Sequence, residues 1–157
     1  WSANSGGVRN VKGELILPTE YEEPTMDENK RRGMSTNFGI WWDGDLLREL
    51  LDHETVQKYD WKTGRVNVIK RFDGRFNNGT KSNPCLSGDI LGDWREEVLV
   101  RDAQSTMLKL YTTDIPTDHR ITCLMQDVPY RLSIATENVA YNQPPEPGFY
   151  LGVGMKK

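Results

Sequence analysis

Two acidic elements of this chain read almost alike, Trp42-Asp-Gly-Asp-Leu-Leu-Arg-Glu-Leu-Leu51 and Gly88-Asp-Ile-Leu-Gly-Asp-Trp-Arg-Glu-Glu-Val-Leu99. Setting Asp45 on Asp93 sets Glu49 on Glu97 and Leu50-Leu51 on Val98-Leu99, an offset of 48 residues. A repeat of that length built from short strands points to propeller blades rather than to one compact single-core domain. The expected fold class is therefore all-β, with four-stranded antiparallel sheets as blades. Carboxylates gathered where a tight turn enters a strand also suit a hard cation such as Ca²⁺. Asp43, Asp45 and Glu49 form one candidate set, and Asp89, Asp93 and Glu97 the other. The competing reading is a solvated acidic turn with Arg48 or Arg95 as counter-charge.

The rest of the chain follows this plan. Residues 1–35 read as the end of a preceding blade plus an irregular connection, with one strand at Glu14-Leu-Ile-Leu17. Residues 36–72 read as a blade, with strands at Asn37–Trp42, Glu49–Asp52, Val56–Tyr59 and Val66–Lys70. Residues 73–83 form an inter-blade loop with turn chemistry at Asp73-Gly74 and Asn78-Gly79. Residues 84–126 read as the next blade, with strands at Pro84–Ser87, Glu97–Arg101, Met107–Tyr111 and Ile121–Met125. In both units the third strand is expected to end on a tyrosine, Tyr59 or Tyr111. Residues 127–157 break the pattern and read as a closing segment. In it, Tyr130–Ala135 is either a short helix or an irregular run, and the prolines of Asn142–Gly148 exclude regular structure. Two blades cannot close a ring, so further blades are expected, upstream in a longer chain or from other copies.

Composition narrows the function classes. With 157 residues and a net charge of −3 there is no block of like charge to capture nucleic acid. No stretch approaches the ~20 apolar residues of a membrane-spanning helix. Cys85 and Cys123 are too few for a disulfide framework and are expected as free, buried thiols. No Ser-His-Asp grouping, phosphate loop or Zn spacing can be assembled, and His53 and His119 stand in turns without a partner.

In combination, and in this order, five motifs resemble the rhamnogalacturonan lyases of polysaccharide lyase family eleven. They are Asn37–Asp52, Asn78-Gly-Thr-Lys81, Gly92–Val98, Tyr111–Thr117 and Asn138-Val-Ala-Tyr-Asn-Gln-Pro-Pro145. The resemblance implies an eight-bladed propeller rich in Ca²⁺, of which this chain is the C-terminal part. It also implies a bacterial protein, secreted or held in the cell envelope, whose partner is the pectic polysaccharide rhamnogalacturonan I. In such a protein Asn78, Gly79, Thr80 and Tyr141 line the substrate cleft and Lys81 is important for activity. The implied reaction is β-elimination, in which a base removes the C5 proton of galacturonate and the 4-O-linked sugar leaves. Abstraction adds negative charge beside a carboxylate, so cations there are the largest expected catalytic contribution. A lysine acting as base must be neutral, which at an ordinary pKa costs roughly 4–5 kcal/mol at pH 7. A protonated lysine clamping the carboxylate needs no such shift. The alternative is a non-catalytic, calcium-binding propeller module that holds a glycan or protein. The isolated segment is expected to be inactive.

Overall fold

The structure is a computed structural model that describes residues 7–18, 38–63, 65–79, 82–139 and 142–155. Thr80, Lys81 and Tyr141, three of the expected cleft residues, lie outside the described residues.

Strand β1 (Gly7–Arg9) pairs with β2 (Leu15–Pro18) as an antiparallel ribbon. Strands β3 (Phe38–Ile40), β4 (Glu49–Asp52), β5 (Thr55–Asp60) and β6 (Arg65–Arg71) form a four-stranded antiparallel meander. A second meander follows, from β7 (Leu86–Gly88), β8 (Glu97–Arg101) and β9 (Leu108–Tyr111). Both central strands, β4 and β8, begin on the repeated glutamate, as the alignment requires.

The expected fourth strand of the second sheet, Ile121–Met125, does not form. The chain there makes a 3-10 turn at Leu124–Gln126, and the Asp89 carboxylate captures the Leu124 N–H at 2.6 Å. Leu124 is buried against Trp41, Trp94, Tyr130 and Leu151. Side-chain capture and burial thus supply what ladder bonds would have supplied. A helix, α1 (Val128–Thr136), comes next. Asp127 starts it by accepting from the Tyr130 N–H at 3.0 Å, and Pro129 sits in the first turn, where no backbone donor is needed.

Pleating sorts the side chains. Phe38, Ile40 and Trp42 share one face and pack with Leu51, Val56, Val98 and Val100 between the two sheets, whereas Trp41 points the other way into the second cluster. The link after β6 enters the first core through Phe72 and Phe76, whose rings stack at 5.9 Å. Fully burying one such side chain contributes about 1.5–3 kcal/mol. Between them, Gly74 approaches β8 so closely that a Cβ would lie 2.4 Å from Val100 Cγ1 and 2.6 Å from the Arg101 carbonyl oxygen. The two cysteines are free, as expected, but half-buried rather than buried.

Glu137, at the C-terminus of α1, is fully buried, and its carboxylate accepts the Ser87 N–H and hydroxyl at 3.0 and 2.9 Å. Burial pushes its carboxyl from 4.5 to about 7, against those two donors. The folded state therefore holds a proton that the unfolded chain releases near pH 4.5. This stabilising difference is complete below that pH and is lost as pH rises through about 7. Glu137→Gln is expected to flatten the fall in stability between those values by up to about 3 kcal/mol, read from urea unfolding across pH. An unchanged slope would show that Glu137 is not the titrating group. Gly74→Ala is expected to cost about 1–3 kcal/mol through overpacking against β8, measured the same way.

Candidate functional site

The corner preceding each central strand is built on its glutamate. Glu49 Oε2 accepts the N–H groups of Trp42 and Asp43 at 2.9 and 3.2 Å, and Glu97 Oε2 accepts those of Ile90 and Leu91, both at 2.9 Å. Asp45 and Asp93 each accept the N–H two residues on, from Leu47 and Arg95. These bonds match position for position at the 48-residue offset. Two expected equivalences do not hold. By these bonds Asp43 corresponds to Leu91, and Asp89 to Trp41. Strand β9 ends on Tyr111 as expected, but β5 runs past Tyr59 to Asp60, and by cross-strand register Tyr111 corresponds to Gln57.

Asp43, Asp45 and Glu49 converge, with one oxygen of each lying within 4.8 Å of the others. Asp89, Asp93 and Glu97 do not assemble in this way. Asp89 is buried and spends its carboxylate on the Gly92 and Leu124 N–H groups, while Asp93 pairs with Arg95. Among the convergent oxygens lies Lys58 Nζ, 2.6 Å from Asp45 Oδ2, 2.9 Å from Glu49 Oε1, and bonded to Asp43 as well. Burial pushes the Glu49 carboxyl up to about 7, opposed by the Trp42 N–H and Lys58. Burial would lower Lys58, but its three carboxylate partners hold it well above its usual range, so the ammonium stays charged. Oxygen donors of this kind suit Ca²⁺, which needs six to eight of them at roughly 2.3–2.6 Å. With an ammonium at their centre, the first set does not fit the ion, and the second does not converge on one. Arg48, the counter-charge in the competing reading of this corner, lies 4.2 Å over the Trp41 ring and bonds Glu146 at 2.6 Å and the Gly39 and Pro145 carbonyls.

The expected cleft elements are held by separate contacts. The base of the loop is a two-way bridge, Asn77 N–H to the Asn83 carbonyl at 2.6 Å and the reverse at 3.1 Å. Asn78 and Ser82 stand at its shoulders with φ of 54° and 51°. From there a chain of amides crosses to the tail. Asn78 Nδ2 donates to Asn142 Oδ1 at 3.1 Å, Asn142 Nδ2 to Asn138 Oδ1 at 2.5 Å, and Asn138 Nδ2 to the Cys85 carbonyl at 2.7 Å. Asn78 therefore meets the residue that directly follows Tyr141. Sequence reasoning missed Lys58, Asn138 and Asn142 as positioning groups. The turn length between β4 and β5 would have placed Lys58 opposite Glu49.

The family described as "Rhamnogalacturonan lyase family 11, C-terminal domain" matches residues 1–157. The chain belongs to that family. This family 11 domain is 56% identical over 122 residues to the rhamnogalacturonan endolyase YesW of Bacillus subtilis, covering 77% of this chain and 20% of that protein. To the rhamnogalacturonan exolyase YesX of the same organism it is 51% identical over 132 residues, covering 78% and 22%. The crystal structure of YesW superposes with a TM-score of 0.81 at 47% identity, covering 97% of this chain and 24% of that one. The family 11 domain thus spans about a fifth of the length of these curated relatives.

Asn142→Ala is expected to leave the fold intact, cost about 0.5–1.5 kcal/mol, and speed backbone amide exchange across residues 77–83. Exchange that is unchanged by mass spectrometry would mean the amide chain does not order the loop.

Proposed function

We propose that this domain is the C-terminal portion of a bacterial, secreted or cell-envelope rhamnogalacturonan lyase. Its two meanders act as successive blades of a closed propeller, and it lends the loop and tail that grip the substrate. The observation that carries this reading is the amide chain from Asn78 to Asn142. It joins the Asn78-Gly-Thr-Lys81 loop to the segment containing Tyr141, as one saccharide cleft requires. A module that only bound protein on its rim would have no need for this junction. The ring is supported by apolar side chains left exposed on the outer strand of the second sheet, Leu108 and Leu110 at 58% and 47%, which suit burial against a neighbouring sheet.

The substrate is rhamnogalacturonan I. In the reaction the C5–H bond of galacturonate breaks, its electron pair forms the C4–C5 double bond, and the C4–O bond to the next sugar breaks. The proton passes to a base, and the leaving oxygen takes a proton. Lys81 acts at the reacting carboxylate, while Asn78, Gly79, Thr80 and Tyr141 orient hydroxyls and the leaving sugar. Any Ca²⁺ of the assembled lyase binds outside the two acidic corners. In a lyase containing this segment, Lys81→Ala is expected to lower turnover at least about a hundredfold with folding retained, followed by absorbance of the unsaturated uronate. Elimination near the wild-type rate would remove Lys81 from the mechanism. Binding without any elimination would favour the module reading.

A further inference from the structure

We propose that the cation of the Asp43, Asp45 and Glu49 corner is part of the protein itself: the Lys58 ammonium holds the position of a metal ion and makes this corner independent of divalent cations. Glu49 is almost completely buried, and Lys58 gives its carboxylate a charged partner there. Arg48 is committed to Glu96, Glu146 and two carbonyls, so it does not serve. Lys58 reaches all three carboxylates from the neighbouring strand, and a divalent ion seated among the same oxygens would overlap its nitrogen.

The second repeat is an internal control. There Leu91 stands where the first has Asp43, and Thr112 stands where it has Lys58. The Thr112 hydroxyl donates to Glu97 Oε1 at 3.1 Å, as Lys58 donates to Glu49 Oε1 at 2.9 Å. The second corner thus lacks one carboxylate and one ammonium and gains one carboxylate, Asp89 for Trp41, and one guanidinium, Arg95 for Leu47, and the same backbone corner persists. Charge balance within the corner, rather than metal binding, accounts for both versions.

The test is a mutant cycle on this chain, read as thermal unfolding in chelator and in millimolar CaCl₂. The wild type is expected to unfold at the same temperature, within about 1 °C, in both. Lys58→Thr is expected to lose about 5 °C in chelator and regain most of it in CaCl₂, because three uncompensated carboxylates then accept the ion. Asp43→Leu combined with Lys58→Thr, which copies the second corner at these two positions, is expected to recover stability and ignore CaCl₂. If Lys58→Thr does not fold, the double variant carries the test. The proposal is overturned if CaCl₂ stabilises the wild type but not Asp43→Leu, if Lys58→Thr matches the wild type or ignores CaCl₂, or if the double variant is no more stable than Lys58→Thr.

Discussion

A buried glutamate that takes two backbone N–H groups from the turn before its own strand is the contact on which this structure rests. Glu49 and Glu97 each make that pair of bonds. A charged acceptor on a backbone N–H contributes about 1.5–3 kcal/mol, so two of them define a corner that an isolated turn could not hold. With the corner set, the entering strand can place Trp41 and Trp42 on opposite faces and so serve both cores.

Contacts between the repeats follow from these corners. Arg48 and Glu96 occupy equivalent positions with opposite charge and lie 3.7 Å apart. Glu96 also accepts the Trp41 N–H and the Tyr130 hydroxyl proton, at 3.0 and 2.6 Å. The segment after β9 crosses both corners. Thr112 bonds Glu97, the Ile115 carbonyl accepts from Arg95, and the Thr117 hydroxyl bonds the Gly44 carbonyl at 2.7 Å. At Gly44 a Cβ would meet the Pro116 oxygen at 2.4 Å, so the crossing needs glycine there. Phe72, Gly74 and Phe76 fasten the chain after β6 to β8 before Asn78 turns toward the tail.

The two central strands were legible in the sequence. Strands β4 and β8 have the expected ends because a charged residue followed by an apolar run marks each start clearly. The expectation failed where side chains replaced the ladder. Ile121–Met125 has strand-like composition, yet its backbone is claimed by Asp89 and its leucine by Trp41, Trp94 and Tyr130. The second acidic trio failed for a related reason. Asp89 looks like its counterpart by spacing, but its surroundings make it a buried anchor for the Gly92 and Leu124 N–H groups.

Local order along the chain was enough to specify the repeat and its offset, because turn chemistry and strand alternation act over a few neighbours, and the resemblance of five motifs gave the family. Which carboxylates meet, and that the Lys58 ammonium reaches all three, depended on cross-strand register. Lys58 reaches Glu49 only because a two-residue turn at His53 and Glu54 pairs Asp52 with Thr55. The joining of Asn78 to Asn142, 64 positions apart, likewise required the folded chain, since no local preference acts over that separation.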